Sequence, residues 1–328
     1  MSDIKFGVML PVFIQEGVPL PFYDALQVNY KCLGFDVIKD LTLEAERLGY
    51  HSIWVSDHLM TDKYRFECWT TLSALSSITN RIRLGTMVIC SLFRFPSLLA
   101  KMSATLDVIS KGKLELGIGA CWGEKECKAY GIPFPKPRER IERLEEAVEI
   151  LKKLWTEEEV TYKGKYYQVN KAFCLPRPLQ RPHPPITIGG GGSLTLRVVA
   201  KQADRCNFDG DISDYSRKLG ILEKYCFNIG RNPKKIEKSC SKAVFICESE
   251  QKLEEEMTNR YIFTDMKVPF ADWLKQVKAN SLIGTPEECI ERIYNYMGIG
   301  VKCFILRFGD LPSKTCMRLF AERVFDAL

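Results

Sequence analysis

The strongest constraint on this chain is an alternation repeated from end to end. Short apolar or β-branched runs at residues 4–10, 52–55, 82–89, 113–118, 185–188, 204–208, 241–246 and 301–308 have the length and composition of strands. Amphipathic stretches at 36–48, 69–78, 96–109, 138–155, 194–199, 213–228, 285–297 and 313–327 read as helices between them. The clearest is 138–155, where Ile141, Leu144, Ala147, Val148, Leu151 and Leu154 recur at intervals of three and four. Strands separated by helices cannot be hairpin partners, so the sheet is expected to be parallel. Eight such units in 328 residues predict a closed (β/α)8 TIM barrel. The alternative is an open doubly wound sheet, but the turn after its first strand should be glycine-rich, and here it is Pro11-Val12-Phe13.

The spacing predicts one domain over residues 1–328 with two insertions. The first, 156–184, holds a hairpin at 160–169 turning at Lys163-Gly164, and a segment, 175–185, kept extended by five prolines. The second, 249–282, is charged and weakly periodic and is read as a helical lid. No apolar run reaches the ~18 residues of a membrane span, and the first residues enter a strand without a signal-peptide layout. A soluble, cytoplasmic protein with no membrane contact is therefore expected. The formal charge is +6, but Lys and Arg are interleaved with Glu rather than gathered in blocks, so no nucleic-acid partner is expected. Thirteen cysteines at irregular spacing, without a C-x-x-C, argue against a disulfide framework. With His51, His58 and His183 scattered, no metal site is expected either.

Residues 185–196, Pro-Ile-Thr-Ile-Gly-Gly-Gly-Gly-Ser-Leu-Thr-Leu, combine a buried strand, a glycine turn and a helix start for which Ser193 is the expected N-cap. Bare backbone N–H groups at a helix N-terminus favour an anion, so Gly189, Gly190, Gly191 and Gly192 are read as a phosphate cradle. The competing reading is a tight turn without a ligand. The motif is neither a Walker loop nor a G-x-G-x-x-G turn.

In a barrel the site forms at the C-terminal ends of the strands. Asp57-His58 lies at one such end, where His58 can act as acid, base or donor; the plainer alternative is that Asp57 caps a loop and satisfies His58. Glu124 and Glu126 follow another strand end and are candidates for a second acid or base, or are solvated loop charges. Trp122 offers a wall for an aromatic cofactor or a core tryptophan. Arg94 has the choice of a phosphate or the surface, and Cys121 lacks a His or Asn partner that would mark it as a nucleophile.

Several segments together resemble the bacterial-luciferase-like flavin and deazaflavin oxidoreductases. They are Ser-Ile-Trp-Val-Ser-Asp-His (52–58), Thr-Asn-Arg-Ile-Arg-Leu-Gly-Thr (79–86) and Lys-Leu-Glu-Leu-Gly-Ile-Gly-Ala-Cys-Trp (113–122). To these are added Tyr-Gly-Ile-Pro-Phe-Pro (130–135), Arg-Ile-Glu-Arg-Leu-Glu-Glu-Ala (140–147) and Arg-Pro-His-Pro-Pro-Ile-Thr-Ile-Gly-Gly-Gly-Gly (181–192). The resemblance covers nearly the whole chain and implies a (β/α)8 barrel binding coenzyme F420, or alternatively FMN, at its mouth. It implies that Gly190 and Gly191 meet the cofactor phosphate and that Asp57 and His58 face the reacting ring. It places Met87-Val88 where F420-using relatives carry a non-prolyl cis peptide. Gly119, Ala120, Cys121 and Trp122 would line the ring, with Glu124 or Glu126 as proton donor. It also implies a homodimer acting on a small-molecule substrate. One departure is Gly123, where many relatives have Asn.

The expected activity is hydride transfer between F420 and an organic substrate. An FMN-dependent monooxygenase using O2 is the alternative, and a non-catalytic flavin-binding barrel is the rival of another class. A lyase or aldolase would need a Schiff-base lysine at a strand end, and no convincing one is present.

Overall fold

The computed structural model describes residues 4–11, 34–60, 65–261 and 268–328. In chain order its first half comprises β1 (Lys5–Met9), α1 (Phe35–Arg47), β2 (Ser52–Val55), α2 (Cys68–Ser76), β3 (Arg83–Thr86), β4 (Ile89–Cys90), α3 (Pro96–Ile109), β5 (Leu114–Gly119), α4 (Glu124–Ala129) and α5 (Pro137–Thr156). The hairpin β6 (Val160–Lys163) and β7 (Gln168–Ala172) follows, then β8 (Ile186–Gly189), α6 (Ser193–Gln202), β9 (Arg205–Asn207) and α7 (Ile212–Asn228). The last part is β10 (Glu237–Ile246), α8 (Glu250–Tyr261), α9 (Phe270–Ala279), β11 (Leu282–Gly284), α10 (Pro286–Gly298), β12 (Val301–Phe308) and α11 (Thr315–Val324).

Parallel pairing runs β1-β2-β3-β5-β8-β9-β10-β12, and β12 returns to β1. The circuit is closed. This rules out the open-sheet alternative, and β11 is an extra strand laid on β10. Outward residues such as Phe6, Val8, Ile53, Val55, Leu114 and Leu116 pack into the main core under the helices, among them Leu144, Val148, Leu151 and Leu154 of α5.

The inside of the barrel decides where a site can form. Trp54 occupies its middle with Met9, Cys303, Ile305 and Met87. Its indole N–H donates to Ser52 Oγ at 2.8 Å. Gly7 and Gly85 lie on the two flanking strands, where a Cβ on either would overlap the indole. Toward the N-terminal ends of the strands the barrel is plugged by ions. Glu115 accepts from Arg205 (2.7 Å) and from Arg83, while Glu237 accepts from Arg205 (2.5 Å) and Lys5 (2.6 Å). Burial alone would push Glu115 up, but Arg205 and Arg83 outweigh it and hold its carboxyl below the ordinary value. With the middle filled and one end plugged, the C-terminal mouth remains.

Two expectations are corrected. The run 82–89 is two strands, β3 and β4, with the cis Met87–Val88 peptide lying between them. Ser193 is the first residue of α6 rather than its cap; the N-cap is Gly192, and Ser193 Oγ instead meets Tyr225 OH at 2.9 Å. Residues 249–282 hold two regular helices, α8 and α9, which contribute Leu253, Met257 and Trp273 to the core; residues 262–267 of that span lie outside the described residues. The hairpin forms as expected, with Gly164 N donating to Tyr167 O at 2.9 Å across its turn. No described helix is long and apolar enough to cross a membrane.

Candidate active site at the barrel mouth

β2 ends in Ser56-Asp57-His58, and its two ionisable residues part company there. The Asp57 side chain is fully buried. Its Oδ2 accepts from Cys90 N (3.0 Å) and Arg94 Nη1 (2.7 Å), and its Oδ1 from Arg94 Nη2 (3.1 Å). Burial pushes Asp57 above the ordinary carboxylate value, and the guanidinium pulls against it. Arg94 also donates to Glu67, whose carboxylate caps α2 through Trp69 N and Thr70 N. Arg94 is therefore neither on the surface nor free for a phosphate. It is the buried counter-ion of Asp57.

His58 takes its partner from β5's side of the mouth, not from Asp57. Its Nδ1 lies 2.7 Å from Glu126 Oε1, and Glu126 Oε2 accepts from Leu59 N at 2.9 Å. Glu126 is buried on α4, a short helix where the sequence suggests a loop. Trp122 stands edge-on to the imidazole, ring centres 5.1 Å apart, and is 73% exposed, so it is no core tryptophan. Glu124 is not brought to this group. It is exposed and pairs with Lys128 one turn along α4 at 2.7 Å.

A second cluster surrounds Val88. A Cβ on Gly119 would lie 2.8 Å from Val88 Cγ2, and one on Gly189 would lie 2.9 Å from Val88 Cγ1. These two glycines leave room for one valine, which spans β5 and β8 at the mouth. The glycine run then turns: Gly190 has φ +115°, and its N–H donates to Asn207 O at 2.9 Å. Gly192 caps α6 without any side-chain hydrogen bond, so among the described residues the first N–H groups of this ten-residue helix have no capping side chain. Gly191 lies against Lys218, where a Cβ would come within 2.7 Å of Lys218 Cε and 3.2 Å of Nζ. An uncapped helix start, a left-handed glycine and an adjacent ammonium suit a phosphate. The sequence gives no sign of Lys218. It sits one turn from Asp214, bonded to it at 2.6 Å, in a spacing that otherwise marks a solvated helix face.

Residues 4–303 match the family model described as luciferase-like monooxygenase. The chain belongs to this family. An F420-dependent glucose-6-phosphate dehydrogenase of Intrasporangium calvum is 36% identical over 172 residues, 50% of this chain and 51% of that protein. The matched stretch thus spans about half the length of that relative. An enzyme of the same name from Microbacterium testaceum is 27% identical over 334 residues, 95% of this chain and 98% of its own. Among solved structures, monooxygenase RslO1 from Streptomyces bottropensis superposes with a TM-score of 0.79 at 24% identity, covering 99% of both chains. This likeness bears on the fold. The chain is an enzyme of the luciferase-like class.

Proposed function

We propose that the protein transfers a hydride between coenzyme F420 and an organic substrate. The observation that carries this reading is the end-to-end similarity to an F420-dependent dehydrogenase. The mouth suits such a group: Gly190, Gly191 and the uncapped start of α6 would hold its phosphate, with Lys218 beside them. Val88 and Trp122 would border its ring. When bound, the deazaflavin supplies the hydride chemistry. The chain supplies position and a proton. A carboxylate at Glu126 accepts from Nδ1–H of His58, which orients the imidazole and leaves Nε2 to take or give a proton at the reacting atom. Asp57 does not reach this exchange; with Arg94 it supports the segment that carries His58 and holds Cys90 N beside the Met87–Val88 turn.

The test is an anaerobic optical titration against F420 and FMN in parallel, followed by a substrate screen with reduced F420. Micromolar F420 binding with FMN much weaker supports the proposal. The reverse order overturns it in favour of the FMN-dependent monooxygenase. Binding of neither removes the phosphate reading of the glycine turn. The homodimer implied by the family resemblance is read in the same preparation by light scattering.

A further inference from the structure

Among the described residues, Cys121 is the one cysteine that is not buried. It stands between β5 and α4 with φ +63°, a left-handed conformation that glycine adopts without cost and a cysteine does not. Its thiol has two others beside it. Sγ lies 3.7 Å from Cys127 Sγ, and the Cys90 thiol faces it from β4. A disulfide needs about 2.05 Å between sulfurs, and the pieces that would move are small: a loop containing Gly123 and a six-residue helix without a side-chain cap.

We propose that Cys121 and Cys127 are a reversible thiol–disulfide couple at the rim of the mouth, with hydroperoxides as the oxidant. The roles follow from position. Cys121 is open to a small oxidant, while Cys127 is fully buried on α4. Contact with the Cys90 thiol and with Gly123 N–H brings Cys121 down to about 7, whereas burial pushes Cys127 up to about 12. The Cys121 thiolate attacks the peroxide, breaking the O–O bond and giving a sulfenic acid and hydroxide. The Cys127 thiol then displaces the sulfenic oxygen as water, forming the S–S bond; the peroxide is reduced by two electrons and the thiol pair oxidised by two. Trp122 and Glu126, the neighbours in sequence of the two cysteines, are both in contact with His58. Joining the sulfurs therefore shifts both flanks of that imidazole.

The sequence makes the test direct. Lys125 lies between the two cysteines, so trypsin separates them into peptides 114–125 and 126–128, while Cys90 falls in 84–94. After treatment with one equivalent of hydrogen peroxide, a non-reducing map of the intact protein should show 114–125 joined to 126–128, two hydrogens lighter, and released by dithiothreitol. Before oxidation, iodoacetamide should label Cys121 roughly tenfold faster than any other cysteine among the described residues. In Cys127→Ser the sulfenic acid should persist and be trapped by dimedone. Cys121→Gly, which suits φ +63°, should fold with an unfolding temperature no lower than that of the parent and leave Cys127 reduced. A link from 114–125 to 84–94, or Cys121 left reduced or overoxidised without a link, overturns the couple.

Discussion

His51 lies at the plugged end of the barrel, its N–H donating to Phe6 O (2.8 Å) and its carbonyl accepting from Arg83 N (3.0 Å). Its Nδ1 has no hydrogen-bond partner among the described residues. Burial lowers its pKa from 6.5 to about 4; Glu115 pulls upward, but Lys5, Arg205 and Arg83 oppose it. The folded protein thus refuses a proton that the unfolded chain accepts. Stability from this residue is complete above the unfolded value near 6.5, and it drains away as pH falls through that value toward the folded one. At 1.36 kcal/mol per unit the whole effect is about 3 kcal/mol, of which about 2 kcal/mol is lost between pH 7.5 and 5. Urea unfolding followed by tryptophan fluorescence at several pH values, on the parent and on His51→Gln, isolates it, because every other group titrates in both proteins. The parent should lose about 2 kcal/mol more than the variant over that range. A difference that stays within about 0.5 kcal/mol would refute the buried, neutral imidazole.

Arg94→Ala strands a buried carboxylate and should cost about 3–5 kcal/mol in urea unfolding, part of it recovered in the double variant with Asp57→Asn; an Arg94→Ala midpoint equal to the parent's would show that Asp57 is held by other groups. Gly85→Ala sets a methyl against the Trp54 indole and should cost about 1–3 kcal/mol with a changed near-ultraviolet circular dichroism band, whereas an unchanged band and midpoint would mean that the barrel interior has room. With a substrate in hand, Glu126→Gln should lower kcat about 10–100-fold, since the amide removes the charged partner of the imidazole and keeps only one of the two oxygens that serve His58 and Leu59 N. An unchanged kcat would take Glu126 out of the chemistry.

The barrel was legible because its determinants are local and repeated. Apolar runs of strand length, helix periodicity such as that of residues 138–155, and caps such as Thr285 with Glu288 each act over a few residues, and eight repeats leave few architectures open. That the four glycines lead from a strand into a helix and that Asp57 and His58 follow a strand end were legible for the same reason, since both are local patterns. Pairing was not. Whether His58 meets Asp57 beside it or Glu126 sixty-eight residues on depends on how closure sets β2 against the loop after β5. Arg94 as counter-ion, Lys218 beside Gly191, and Val88 between Gly119 and Gly189 are likewise contacts across the ring of strands. The local sequence determined the elements and which residues reach the mouth. Only closure of the barrel, which brings distant strand ends within hydrogen-bond range in a desolvated rim, decided which partner each one has.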